Sequence, residues 1–365
     1  MVAIQIERVS KRLGTTLAVD RAELTVRAGE LYFLLGPSGC GKTTLLNLIA
    51  GLLESSEGRI LFDGRDVTQQ PTHQRNAVMC FQSYALWPHL SVAENVRFGL
   101  DVRRLERAQQ EARVREALEL VRMSEYRERK PAELSGGQQQ RVAIARAIAV
   151  RPSCLLLDEP LSNLDTRLRH QMRGEIRSIC RATGLTTLYV THDQKEALSI
   201  ADRIALLDSG RVVQVGTPRE LYTRPANSFV AEFLGQANLI PGTLLERAPA
   251  PARSGSDALE RLHVETPLGL LVAFSDALPE GVSRLLLSIR PEQLAVASPA
   301  AGTEGVNRVK ARLLESNFLG DSSEHRLSAG GLSLRMHSVP PRLDLPDEVT
   351  LQLAPEEFVV LAPAD

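Results

Sequence analysis

The sequence predicts an α/β domain over residues 1–235 followed by a small all-β domain over 236–365. Three observations carry this reading. Through the first part, short apolar runs alternate with helical stretches, and the opening Met1–Arg8 alternates like a strand of an added antiparallel piece. One apolar run, Leu31–Leu35, leads straight into a glycine-rich turn and then a helix start at Leu45–Ile49. Beyond about Gly235, loops containing Pro, Ala and Ser separate the short β-rich runs 268–274, 284–289, 309–314 and 358–361, the pattern of a small barrel. With 365 residues, the chain can bury two cores.

The elements follow in order. Residues 77–81 are an apolar run, and a more helical stretch succeeds it. Within that stretch Arg103–Arg122 is rich in Arg and Glu, with Leu105, Ala108, Ala112, Ala117, Leu118 and Val121 as a modest core stripe on a solvated helix. Tyr84–Leu90 carries the only Trp, Trp87, either packed locally or lining an apolar groove for a partner's helix. Residues 154–157 and 187–190 read as strands. Ile204–Leu207 and Val212–Val215 flank the hairpin turn signal Asp208-Ser209-Gly210, and short helices run on to about Gly235. Residues 248–257 read as a flexible insertion within the β region.

Composition excludes some functions. Lys plus Arg (43) balance Asp plus Glu (44), so no overall field draws the chain to nucleic acid, and 4% aromatics supply few base-stacking platforms. Cys40, Cys80, Cys154 and Cys180 show no metal or CxxC spacing and read as small buried residues of a reducing compartment. No apolar run approaches the ~18 residues of a membrane span, and the start lacks the apolar core of a signal peptide. The expectation is a cytoplasmic protein that meets a membrane only through a partner.

The glycine-rich turn is Gly36-Pro37-Ser38-Gly39-Cys40-Gly41-Lys42-Thr43-Thr44, a GxxxxGK-S/T pattern between a strand and a helix. Glycines let successive backbone N–H groups converge on one anion, and the helix dipole adds to that field. Lys42 then reaches the β- and γ-phosphates of a nucleoside triphosphate, and the Thr43 hydroxyl ligates Mg²⁺. Oxidation or alkylation of Cys40 in this loop would block nucleotide. A second anion site is implied by Leu134-Ser135-Gly136-Gly137-Gln138-Gln139-Gln140-Arg141. Ser135 and Gln138 form a capping-box pattern, and two adjacent glycines leave first-turn N–H groups bare for close approach.

A phosphate loop together with the Leu134–Gln138 signature resembles the ATP-binding-cassette (ABC) ATPase family. The resemblance implies a P-loop NTPase fold with antiparallel β and helical subdomains, the latter at about 85–150, binding ATP and Mg²⁺. It further implies that Asp158, at the end of Cys154–Asp158, holds the Mg²⁺ shell and that Glu159 polarises the attacking water. Leu161-Ser162-Asn163-Leu164-Asp165 is similar to the D-loop that crosses to a partner subunit. His192 is similar to the switch histidine at the γ-phosphate, and Gln82 to the Q-loop glutamine near Mg²⁺ and the partner interface. Leu13 stands where the family usually has an aromatic residue stacked on adenine. Losing that π-face is worth about 1 kcal/mol, so GTP is expected to be poorly excluded.

In the tail, Ala237–Gly242, Ser288–Glu292 and Glu315–Asp321 resemble the oligomer-binding-fold (OB-like) elements of TOBE domains, which follow the ATPase of importers for polyamines, ferric iron, sugars and molybdate. That implies the ATPase subunit of an importer: a head-to-tail homodimer with Ser135, Gly136 and Gly137 closing on the phosphate held by the other chain's Lys42. Its implied partners are an integral membrane permease and, indirectly, an external solute-binding protein, and its place is peripheral, on the cytoplasmic face of the inner membrane. The tail leans towards ferric iron or polyamine as cargo. A soluble ABC ATPase in DNA repair or translation, an exporter ATPase, and an oxyanion-sensing tail are the competing readings.

Overall fold

In a computed structural model of the chain, residues 1–249, 259–275, 278, 281–297 and 307–362 are described. The chain divides into two compact units, Met1–Arg219 and Glu220–Asp365.

The first unit opens with an antiparallel hairpin, β1 (Ile4–Leu13) and β2 (Thr16–Val26). β3 (Leu31–Leu35) is buried at every residue, as a strand covered on both faces must be. It feeds α1 (Lys42–Ala50). β4 (Glu57–Phe62) and β5 (Arg65–Asp66) complete a four-stranded sheet in the order β2-β1-β4-β5. After α2 (Thr72–Arg75) and β6 (Ala77–Cys80) come the helices α3 (Val92–Val102), α4 (Arg107–Leu120) and α5 (Gly136–Ala149). The remainder is β7 (Cys154–Asp158), α6 (Thr166–Thr183), β8 (Thr186–Thr191), α7 (Gln194–Ile200), β9 (Arg203–Asp208) and β10 (Arg211–Gly216). The central sheet runs β10-β9-β3-β8-β7-β6 and is parallel except at the β9–β10 edge. The carboxyl ends of β3, β7 and β8 therefore emerge on one side, where α/β sheets bind their ligands.

The expected stripe over 103–122 is displaced. The chain breaks between α3 and α4, and the buried apolar residues are Val114, Ala117, Leu118 and Val121, while Ala108 and Ala112 face outward. Arg75, only 5% exposed, donates to Leu48 O (2.7 Å), Ile49 O (3.0 Å), Gln70 O (2.7 Å) and Thr68 O (2.8 Å). A cation at the carbonyl end of α1 is where the helix dipole favours one.

The second unit begins with the end of α8 (Pro218–Thr223) and α9 (Ser228–Phe233). One five-stranded sheet joins β11 (Asn238–Pro249), β12 (Glu260–Thr266), β13 (Gly269–Ser275), β14 (Arg284–Ile289) and β20 (Val359–Leu361) in the order β13-β12-β11-β14-β20. The other joins β15 (Ala295–Val296), β16 (Asn307–Phe318), β17 (Ser323–Ala329), β18 (Leu332–Ser338) and β19 (Glu348–Leu353) in the order β15-β19-β16-β17-β18. Alternate residues of both sheets share one core, including Ile240, Leu262, Leu287, Val309, Leu327 and Leu351. Of the expected insertion at 248–257, Ala248 and Pro249 close β11 and the rest lies outside the described residues.

The division after Arg219 falls earlier than the boundary expected at 235. Arg290 is the cause: its guanidinium lies 4.0 Å over the Tyr222 ring and donates to Tyr222 O (2.7 Å) and Ala231 O (2.6 Å), binding the short helices to the β domain.

Candidate nucleotide site

The loop between β3 and α1 is shaped by positions where only glycine fits. Gly36 has φ +156°, and a Cβ there would lie 2.2 Å from Leu207 O; Gly41 has φ +99°, and its Cβ would lie 2.3 Å from Ala18 O. Gly41 caps α1 without a side chain, so the first N–H groups of that helix have no internal partner. Lys42, buried against the loop, donates to Gly36 O (2.8 Å) and Pro37 O (2.7 Å) and lies 3.7 Å from Cys40 Sγ. The loop carbonyls thus hold the ammonium beside the free N–H groups that open α1, and together these donors suit a polyphosphate. Burial pushes the Cys40 thiol up, against the pull of Lys42. All four cysteines are free and buried, with Cys80 and Cys154 raised to about 12 and Cys180 to about 11 by burial.

Beside the loop, the Thr43 hydroxyl donates to Asp158 Oδ1 at 3.0 Å. Burial, and secondarily Glu159, raises the Asp158 carboxyl, while the Thr43 hydrogen bond and Lys42 oppose that rise. A hydroxyl and a carboxylate at this spacing are hard oxygen donors of the kind Mg²⁺ takes alongside phosphate oxygens, so these residues fit the ion. Among the described residues no group of three His, Cys, Asp or Glu could hold a metal unaided.

Glu159 follows in the left-handed region, φ +43°, with its N–H donating to Val190 O at 3.0 Å. Such backbone is uncommon for a non-glycine residue and clusters at functional sites. Its Oε1 lies 3.1 Å from His192 Nδ1, so the ends of β7 and β8 bring the predicted pair together. Behind the pair is a 40 Å³ cavity lined by Glu159, Ser162, Arg169, Thr191, His192, Asp193 and Glu196.

The other predicted residues are placed as follows. Gln82 is exposed, and its backbone carbonyl accepts from Asn163 Nδ2 at 2.8 Å, which joins the Q-loop to the 161–165 segment. Asp165 caps α6, accepting from Leu168 N at 3.0 Å. Ser135 caps α5 in a full capping box with Gln138. A Cβ on Gly136 would lie 3.1 Å from Leu164, and one on Gly137 3.0 Å from Leu168, so both glycines sit against the start of α6. No hydrogen bond among the described residues links Ser135–Gln138 to the loop at 36–44. Leu13 is exposed at the end of β1, on the hairpin whose Ala18 carbonyl abuts Gly41.

Asp193–Glu196 is the helix start expected after His192, whereas the contacts of Arg169 and Arg173 with it carry no sequence signal. Asp193 caps α7, accepting from Glu196 N (3.2 Å), and pairs with Arg173 (2.8 Å). The buried Glu196 carboxylate accepts from Thr191 Oγ1 (2.8 Å) and Tyr189 OH (3.2 Å), and burial raises its pKa. The Asp-x-x-Glu spacing of a helix start was the available signal.

Residues 19–162 match the family model described as ABC transporter, and 287–361 match the TOBE domain. The chain is 45% identical to the spermidine/putrescine import ATP-binding protein PotA of Rubrobacter xylanophilus, over 90% of this chain and 84% of that protein. It belongs to the ABC transporter family. It is also 38% identical to the Fe(3+) ions import ATP-binding protein FbpC of Escherichia coli, over 99% of this chain and 98% of that one. With the sulfate/thiosulfate import protein CysA 2 of Chromobacterium violaceum it shares 43% identity, over 97% and 93%. Among solved structures, a dimeric cassette, MJ0796, in a post-hydrolysis state bound to ADP and Pi is 30% identical, with a TM-score of 0.52 over 59% of this chain and 99% of that one. This ABC protein is an importer-type ATPase with a TOBE domain, built to bind and hydrolyse ATP. Among its described residues no helix is long and apolar enough to cross a membrane.

Proposed function

We propose that this ABC ATPase powers solute uptake as a homodimer that clamps ATP between its protomers. One observation carries the proposal: the chain assembles Lys42, Thr43, Asp158, Glu159 and His192 at the carboxyl ends of β3, β7 and β8, while Ser135, Gly136 and Gly137 head a helix with no hydrogen bond to that group. Each chain then supplies complementary halves of two sites, and the dimeric cassette it is similar to supports that arrangement.

In the proposed mechanism the glycine-rich loop and Lys42 hold the phosphates. Thr43, Asp158 and Gln82 would hold Mg²⁺, which would screen the phosphate charge. Glu159 accepts the proton of a water that attacks the γ-phosphorus, the bond to the β–γ bridging oxygen breaks, and ADP and phosphate leave. His192 orients the Glu159 carboxylate. Asp165 and its neighbours reach the other protomer. Loss of the γ-phosphate removes what joins the protomers, so they part.

The cycle drives a permease at the cytoplasmic face of the inner membrane, through the segment after Gln82. There Trp87 packs on the half-exposed Phe98 (ring centroids 4.0 Å apart) and Arg146 holds the Tyr84 and Ala85 carbonyls. Delivered by an external binding protein, the cargo belongs to the solutes that the relatives' names give, polyamine, ferric iron or sulfate, with polyamine or ferric iron the reading that the tail motifs favour. ATPase stimulation by reconstituted permease with each binding protein tests the cargo. For the clamp itself, Glu159→Gln should slow turnover about 10²–10³-fold and elute as an ATP-dependent dimer in size-exclusion chromatography. A variant that stays monomeric at saturating ATP would count against the clamp.

A further inference from the structure

Polar contacts around the Glu159–His192 pair close into a ring. Ser162 donates through N (3.2 Å) and Oγ (3.0 Å) to the Glu159 carbonyl. From α6, Arg169 Nη2 donates to Leu164 O at 3.1 Å and approaches Ser162 O at 3.5 Å, while its Nη1 lies 3.7 Å from Asp193 Oδ2. Asp193 is the neighbour of His192, whose imidazole returns to Glu159. Thr191, on the other side of His192, is held as well: its hydroxyl donates to Glu196 and accepts from Asp193 N at 3.0 Å. The 40 Å³ cavity lies inside this ring.

We propose that Arg169 is a positioning residue for hydrolysis, tying the 161–165 segment to Asp193 so that the His192 imidazole is aligned on the Glu159 carboxylate. The inference rests on the reading of Glu159 and His192 as the hydrolytic pair. The planar fork meets the backbone carbonyls with Nη2 and faces the carboxylate with Nη1, a separation that a lysine, with all its donors on one atom, does not reproduce. A role in mere charge pairing is met elsewhere: Arg173 already holds Asp193 Oδ2 at 2.8 Å. What Arg169 alone adds is the link to Ser162 and Leu164. Leu164 also packs beside Gly136, so a movement of the signature helix against the segment reaches His192 through this side chain.

A double-mutant cycle on the full-length chain tests this, reading single-turnover hydrolysis of labelled ATP, with fluorescent-nucleotide binding measured alongside. Arg169→Ala is expected to lower kcat about 30-fold, as misplacement of a reacting group does, with KM and nucleotide affinity within about twofold. Arg169→Lys should restore little. In a His192→Ala background, adding Arg169→Ala should change turnover by less than about twofold, because the residue acts through the imidazole. Multiplicative losses, or normal kcat in the single variant, would overturn the proposal. Should Arg169→Ala not fold, Asp193→Asn takes its place in the cycle, since Asn keeps the α7 cap, and additivity there is equally fatal. Normal turnover of His192→Ala alone would overturn the hydrolytic pair itself and the role of Arg169 with it.

Discussion

The amino ends of α1 and α5 solve the same problem differently. α1 starts at Gly41, with φ +99° and no capping side chain, whereas α5 starts at Ser135, whose hydroxyl and partner Gln138 close a complete capping box. An uncapped helix start leaves its donors for whatever anion arrives, and Lys42 stands beside them. A capped start needs no ligand to be stable, yet Gly136 and Gly137 keep its first turn open to close approach. The difference teaches that the first end lacks a partner for its donors within the chain, whereas the second is complete without one, which is what the proposed clamp requires of its two halves.

Substitutions can break that contrast. The largest effect is expected from Lys42→Ala, which should abolish turnover, by about 10³-fold or more, with nucleotide binding followed by equilibrium dialysis. Retained hydrolysis would mean that α1 is not the seat. Ser135 allows a finer separation. Ser135→Ala should lose about 1 kcal/mol of stability in denaturant unfolding and about tenfold in turnover. Ser135→Asp caps equally well and should recover the stability, but turnover should stay low because its charge repels phosphate. Normal turnover in the Asp variant would reduce the α5 end to a plain cap. The smallest effect belongs to the hairpin next to Gly41: Leu13→Tyr should raise the preference for ATP over GTP about fivefold in competition assays, the worth of one aromatic contact. An unchanged ratio would show that Leu13 lies away from the base.

Legibility followed chemical demand. The loop at 36–44, the signature and the Asp158–Glu159 pair stood out in the sequence because backbone cradling and carboxylate chemistry restrict residue type at fixed spacing, and all three lie within the stretch that matches the family model. In the tail, β17 was not visible, because Ser323, Glu324, His325 and Arg326 give it no apolar run even though Ser323, His325, Leu327 and Ala329 point inward. The tail strands β13, β14, β16 and β20 were visible as short β-rich runs. Their order was not, since β11 joins β14 across 40 or more residues of chain by pairings such as Asn238 with Ile289. The boundary at 219 escaped for a similar reason: Arg290 reaches back to Tyr222 and Ala231 from a sequence-distant turn. Arg169 escaped because an arginine on a solvated-looking helix carries no motif, and its partners come from two separate loops.

Arg75 gives α1 a mechanical property that its sequence does not announce. The helix is nine residues long, seated on the phosphate loop at one end and gripped through Leu48 O and Ile49 O at the other by a buried guanidinium that also holds Thr68 O and Gln70 O. So short a rod, anchored at both tips, does not bend. Through Arg75 its carbonyl tip is fastened to the segment that follows β5, so one stiff element joins Lys42 to the edge of the antiparallel sheet.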